Sequence, residues 1–179
     1  MIDESKIDYW FKEIHHRKAN QDELAKFKNW NFSDFIKYLI DGTPNGLIGW
    51  TKPIHSDWII TAQFGQQLWY GKHKGIDIKT KCFDYPKGIG NPAFSCGQGL
   101  ITKAGYDLKG GKYIDIKHNA KFRSRYYHLS VIEVKQGWFV KSNREIAKTG
   151  NTGILTRGAH LHWELYLNNQ VVNPLNYLG

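Results

Sequence analysis

The sequence predicts a mainly β fold, an antiparallel sheet or sandwich with a groove, preceded by a small α-helical segment. Three observations predict it. From about residue 43 onward, short alternating or β-branched runs are separated by glycine-rich turns. Aromatic residues make up 15% of the chain, including 7 Trp, a usage that suits pleated sheets and packing grooves. Before residue 43 the apolar period is helical instead. The 179 residues therefore divide into a helical N-terminal segment, 1–42, serving as a docking module or a cap, and a β domain, 43–179.

In the N-terminal segment, Ile7, Trp10, Phe11 and Ile14 follow the i, i+3, i+4, i+7 spacing of an amphipathic helix. Asn20 followed three residues later by Glu23 has the form of a capping box, with Leu24 and Phe27 as the apolar positions behind it. Phe32, Phe35, Ile36, Leu39 and Ile40 mark a third stripe, stopped by Asp41-Gly42 and then Pro44.

In the β domain the expected strands are Trp58–Ala62, Ile76–Ile78, Tyr113–Ile116, Arg125–Leu129 and Leu161–Leu167. Turn signals stand between them at Lys109-Gly110-Gly111, Thr149 to Gly153, and Asn168-Asn169. Lys79 to Gly99, with two prolines and several glycines, reads as one irregular loop. It holds both cysteines, Cys82 and Cys96; a disulfide is possible outside a cell, but two cysteines make no framework and no thiolate clip for zinc.

The formal charge of +9 suits a polyanionic partner such as nucleic acid, an anionic membrane or an acidic bacterial wall. The basic residues are scattered and form no arm, which disfavours a nucleic-acid reader. No apolar run approaches the roughly 20 residues of a membrane span, and the first residues lack the basic and apolar regions of a signal peptide.

The chemistry gathers in three places. Along the strand Leu161–Leu167, polar His162 and Glu164, with His160 just before them, alternate with apolar Leu161, Trp163 and Leu165. Side chains two apart share a face, so both imidazoles and the carboxylate point the same way. Upstream, the glycine in His73-Lys74-Gly75-Ile76-Asp77 and the isoleucines flanking Asp77 disfavour a helix, so a turn must fold His73 over the start of a strand. Between them lies Tyr126-Tyr127-His128-Leu129-Ser130. An isolated pair of this kind is weak evidence in a chain with 8 His. Three sites in order are stronger.

Residues 55–178 resemble the lysostaphin/LytM-type zinc endopeptidases, which cleave peptide cross-bridges or stem peptides of bacterial peptidoglycan. The resemblance is carried by His73 to Asp77, by Tyr126 to Ser130, by His160 to His162, and by the flanks Phe64-Gly65, Gly137 to Gly153 and Val172-Asn173-Pro174. It implies that His73, Asp77 and His162 hold one Zn2+ per chain, and that His128 and His160 are the unliganded catalytic pair, with the roles of base and oxyanion donor open between them. Two histidines and an aspartate leave the fourth position of a catalytic zinc to water, as that chemistry needs. Glu164 is a candidate support for His162, and Tyr126 and Trp69 are candidate substrate contacts; solvated-carboxylate and groove-wall roles remain open for Glu164 and Tyr126. His55 and His118 match no ligand position and are expected in surface or loop roles. Gln66 and Gln67 stand where relatives often carry an arginine, and the stretch from Lys79 to Gly99 is longer than the usual connection, so the bond cleaved is left open.

The expected partner is peptidoglycan, with other virion proteins reached through residues 1–42. The competing reading is a catalytically inactive relative that binds or regulates at the wall. The expected place of action is the wall from outside the membrane, as a phage tail or lysis protein, or as a domain of a longer secreted protein.

Overall fold

The structure, a computed structural model, describes residues 3–15, 18–30, 35, 50–80 and 89–178. The chain divides into two compact units, Met1–Pro44 and Asn45–Gly179. Among the described residues no helix is long and apolar enough to cross a membrane.

The first unit contains helices α1 (Glu4–His15) and α2 (Gln21–Phe27). Asn20 caps α2 in the expected box: its side chain accepts from the Glu23 amide at 2.9 Å, and the Glu23 carboxylate accepts from the Asn20 amide at 2.9 Å. Ile7, Phe11, Leu24, Phe27 and Phe35 are buried together, with the Phe27 and Phe35 rings 5.1 Å apart. Apart from Phe35, the expected third stripe and its stop at Asp41-Gly42 lie outside the described residues.

The second unit is mainly β and antiparallel, as expected. In order its strands are β1 (Trp58–Ala62), β2 (Gln67–Leu68), β3 (Gly71–Lys72), β4 (Ile76–Thr80), β5 (Pro92–Phe94), β6 (Gly99–Asp107), β7 (Gly111–Lys117), β8 (Phe122–Leu129), β9 (Val131–Ile132), β10 (Phe139–Val140), β11 (Glu145–Lys148), β12 (Leu161–Leu167) and β13 (Gln170–Val172). A 3-10 turn at Pro174–Tyr177 follows. The large sheet runs β1-β4-β12-β8-β7-β6-β10, with β13 also on β12; β5-β11-β9 make a second sheet and β2-β3 a hairpin. The inward residues of the first two sheets form one apolar cluster, including Ile76, Ile78, Ile114, Ile116, Leu161 and Trp163 from the large sheet and Ala93, Ile146 and Ala147 from the small one. β12 is an interior strand of the large sheet, between β4 and β8.

The stretch from Lys79 to Gly99 is not one loop. β4 continues to Thr80, Pro92–Phe94 is a strand paired with β11, and Cys96 is buried in the core as a free thiol. Cys82 and its neighbours from 81 to 88 lie outside the described residues.

His118 lies in the turn between β7 and β8, as a loop role requires, but not on the surface. It is 2% exposed, donating from Nδ1 to the Gln98 carbonyl at 2.8 Å, with Nε2 2.8 Å from Ser124 Oγ and 3.7 Å from Cys96 Sγ. The cluster looks like a nucleophile with its base, but burial pushes the Cys96 thiol up to about 11 and the His118 imidazole down to about 4. Both are neutral and sealed in the core, so the cluster is structural. Because the folded chain resists charging His118 while the unfolded chain accepts a proton below about 6.5, stability is full above that pH and is lost as the pH falls toward 4. The shift corresponds to roughly 3 kcal/mol. Urea midpoints at pH 7 and pH 4.5 should therefore fall further apart in the native chain than in His118→Gln; equal separations would contradict this.

Candidate metal centre

Asp77 sits between two fully buried residues, Ile76 and Ile78, so the pleat turns its carboxylate away from the core. On β12 the same logic buries Leu161, Trp163 and Leu165 and turns His162 and Glu164 to the open face. Asp77 and His162 are direct cross-strand partners, and Tyr127 of β8 flanks His162 on its other side. His73 arrives from the loop between β3 and β4. A Cβ at Gly75 would lie 2.3 Å from the Trp163 carbonyl oxygen and 3.1 Å from Glu164 Cγ, so only glycine lets that loop press against β12.

The three side chains converge. His73 Nε2 is 3.0 Å from Asp77 Oδ1 and 2.8 Å from His162 Nδ1, and His162 Nδ1 is 2.8 Å from Asp77 Oδ1. The other nitrogen of each ring is committed: His73 Nδ1–H donates to the Gln63 carbonyl at 3.0 Å, and His162 Nε2–H donates to Glu164 Oε1 at 3.2 Å. With both rings neutral, those bonds take the one ring proton of each, leaving two imidazole lone pairs and a carboxylate oxygen aimed at one another. Three acceptors in van der Waals contact call for a cation.

Two N donors and one carboxylate suit zinc in a catalytic site, with a fourth position open. A tetrahedral centre with bonds of about 2.0–2.1 Å would set its donors roughly 3.3 Å apart, so these atoms need only a small spread. Among the described residues this is the one group of three His, Cys, Asp or Glu side chains able to hold a metal.

The electrostatics agree. Burial alone would raise the Asp77 carboxyl, but the adjoining His160, His162 and His73 rings outweigh it and hold the group well below the usual carboxylate range. Burial would lower His162, yet Asp77 and Glu164 outweigh it and lift the ring to about 9, so a proton and a metal ion compete for Nδ1 and the site draws positive charge in either form. Glu164, 4% exposed, would be raised by burial, but the bonds from His162 and from the Tyr166 hydroxyl hold it ionised below its ordinary value. It is therefore no solvated strand carboxylate; it is the acceptor that orients His162. Glu164→Gln should weaken zinc binding about tenfold in a competitive chelator titration. Unchanged affinity would remove Glu164 from that role.

His128 and His160 stand beside the triad, their rings 4.8 Å apart. Each donates Nδ1–H to a backbone carbonyl, His128 to Thr152 at 2.9 Å and His160 to Gly158 at 2.7 Å, which turns each Nε2 toward the site. His160 Nε2 lies 3.5 Å from Asp77 Oδ1. Burial and the neighbouring His160 lower His128 to about 4, so its ring is neutral near pH 7.

Tyr126 is not a substrate contact. It is fully buried, and its hydroxyl accepts from the Cys96 amide at 2.8 Å. Strict alternation would put Tyr126 and His128 on one face, but His128 has φ 62° and the β7–β8 register slips between Lys112 and Ile114. This bulge returns His128 to the open face beside Tyr127. Tyr127 is the aromatic wall that the sequence reading missed: its ring centre is 5.9 Å from that of His162, and its hydroxyl accepts from Arg125 Nη1 at 3.2 Å. Trp69 lies on the open side, 60% exposed, with the Arg157 guanidinium 5.0 Å from its ring centre. His55 is exposed and stacks on Phe94 at 3.8 Å, outside the site.

Among curated proteins, peptidoglycan DD-endopeptidase ShyA of Vibrio cholerae is 32% identical over 123 residues, covering 69% of this chain and 28% of that protein. The murein hydrolase activator NlpD of Escherichia coli is 36% identical over 109 residues, covering 60% of this chain and 26% of that one. The chain thus spans about a quarter of the length of these relatives. Among solved structures, a zinc-containing peptidase from Vibrio cholerae is 32% identical with TM-score 0.59, covering 67% of this chain and 37% of that one. The catalytic domain of lysostaphin from Staphylococcus simulans is 27% identical with TM-score 0.58, covering 67% of this chain and 91% of that domain. The sequence model of Peptidase family M23 matches residues 71–174, a span that holds His73, Asp77, His128, His160 and His162 and exceeds half of the chain, and this protein belongs to that family.

Proposed function

We propose that the protein is a zinc endopeptidase that hydrolyses peptide bonds in the cross-bridges or stem peptides of bacterial peptidoglycan. The observation that carries this reading is the convergence of His73 Nε2, His162 Nδ1 and Asp77 Oδ1, with the other nitrogen of each ring committed to a partner outside the triad. Zinc bound there would lower the pKa of a water toward about 7 and polarise a carbonyl. The chain's own residues do the rest. His128 Nε2 and His160 Nε2 divide two tasks: one accepts the proton of the attacking water, and the other, protonated, donates to the developing oxyanion or the leaving amine. The Thr152 and Gly158 carbonyls hold both rings in the tautomer these tasks need. Tyr127 and Trp69 are placed to wall the substrate path.

The test is mass spectrometry of fragments released from purified peptidoglycan, with and without a zinc chelator. Chelator-sensitive release of new amino termini supports the reading and names the bond. No release from walls of several cross-link types would overturn it in favour of a binding or regulatory role at the wall, the kind of role named for NlpD. Peptidoglycan lies outside the membrane, so the proposed place of action is there. Carriage on a phage particle or release by lysis, with residues 1–42 as the tether, is the setting proposed, and detection of the chain in purified virions would test it.

A further inference from the structure

Glu164 accepts from His162 through Oε1 alone, so its second oxygen needs a partner of its own. Burial makes the need strict: at 4% exposure, water cannot replace a missing donor. The Tyr166 hydroxyl fills the place, donating to Oε2. His162, Glu164 and Tyr166 follow one another at intervals of two along β12, so the pleat sets the three side chains in a row. The row is an unbroken chain of contacts from the phenol, through the carboxylate, to the ring of a metal ligand.

A hydroxyl can position a carboxylate only if its own ring is held. On β8 the register sets Arg123 opposite Tyr166 and Arg125 opposite Glu164. The Arg123 guanidinium lies over the Tyr166 ring, 3.6 Å from its centre. Both guanidiniums are tied to the buried Asp115 of β7: Arg123 Nη1 is 3.4 Å from Oδ2, Arg125 Nη2 is 2.6 Å from Oδ2, and Arg125 Nε donates to Oδ1. Arg125 Nη1 donates to the Tyr127 hydroxyl. Neither arginine is left to pair with Glu164, and among the described residues the one ion pair of Glu164 is with His162. A guanidinium on Oε2 would neutralise the carboxylate and weaken its pull on the His162 Nε2–H. A neutral phenol fixes the group and leaves its charge directed at that proton.

We propose that Tyr166 is a positioning residue for the metal centre: its hydroxyl, with the ring held by Arg123, locks the Glu164 carboxylate, and Glu164 in turn sets the direction of His162 Nδ1 toward the metal. Without the hydroxyl, Oε2 is unpaired in a buried place and the carboxylate turns to find another donor. The fixed acceptor of His162 is then lost, although every ligand remains. The inference goes beyond the bond cleaved and rests on the metal centre of the proposed function.

The experiment compares the native full chain with Tyr166→Phe, which keeps the ring beside Arg123 and deletes the hydroxyl alone. Zinc affinity in a competitive chelator titration should fall about fivefold. Because a buried carboxylate left unpaired also lowers stability, two further readouts separate positioning from folding. The visible absorption bands of the cobalt-loaded protein, which report the donors and geometry around the ion, should shift in Tyr166→Phe at saturating cobalt. In a Glu164→Ala background, Tyr166→Phe should cause no further loss of zinc affinity, since the group through which it acts is gone. Native zinc affinity, native cobalt bands, or an equal loss in both backgrounds would overturn the positioning role and leave the metal centre intact. If Glu164→Ala does not fold, the cobalt bands of the single variant decide. A native chain that binds no zinc would overturn the metal centre as well.

Discussion

Replacing Asp77 with alanine is expected to remove the metal and abolish cleavage together. Asp77 Oδ1 is the negative member of the triad, 2.8 Å from His162 Nδ1 and 3.0 Å from His73 Nε2, and no other carboxylate in the group can take its place. Without it two neutral imidazoles remain, too few and too weakly charged to hold zinc. Loss of the Lewis acid removes several kcal/mol of transition-state stabilisation, a fall in kcat/KM of about 10³-fold or more. A second readout is thermal. Zinc at about 1,000 times its Kd stabilises the folded chain by about 4 kcal/mol, so chelator should lower the melting temperature of the native protein and leave that of Asp77→Ala unmoved. Stoichiometric zinc in an inactive Asp77→Ala protein would contradict the ligand assignment.

His128→Ala and His160→Ala should separate binding from chemistry. Each ring is held by a backbone carbonyl and neither belongs to the triad, so neither histidine is needed to complete it. Zinc content should stay near that of the native protein while kcat falls about 10²–10⁴-fold, the range for loss of a positioned general acid or base. His160 is the sharper case because its Nε2 lies 3.5 Å from Asp77 Oδ1. If His160→Ala released zinc as readily as His162→Ala, His160 would have to be counted among the ligands.

Much of this site was legible because β12 carries its pattern on both faces. Leu161, Trp163 and Leu165 face the core while His162 and Glu164 face the site, and the expected strand bounds match those observed. The capping box at Asn20 was legible for the same reason: two side chains and two backbone donors, all local. β6 was not legible, although it is the longest strand, because Gly99, Gly105, Lys103 and Ala104 have low strand propensity and its pairing with β7 and β10 is made by tertiary contact. The Tyr126–Tyr127 exchange failed on a single dihedral. A residue with positive φ at His128 breaks the period of two, and nothing in a histidine's neighbours announces that. His118 is a loop residue as read, but its burial was not legible, because Gln98 and Cys96, about twenty residues upstream, meet it only in the folded core.

The most direct measurement is anomalous diffraction at the zinc edge from crystals of the protein grown with zinc. One strong peak bonded to His73 Nε2, Asp77 and His162 Nδ1, with His128 and His160 outside bonding distance, is the predicted result. A peak liganded through His160, or no peak in that triad, would contradict the metal centre on which this account stands.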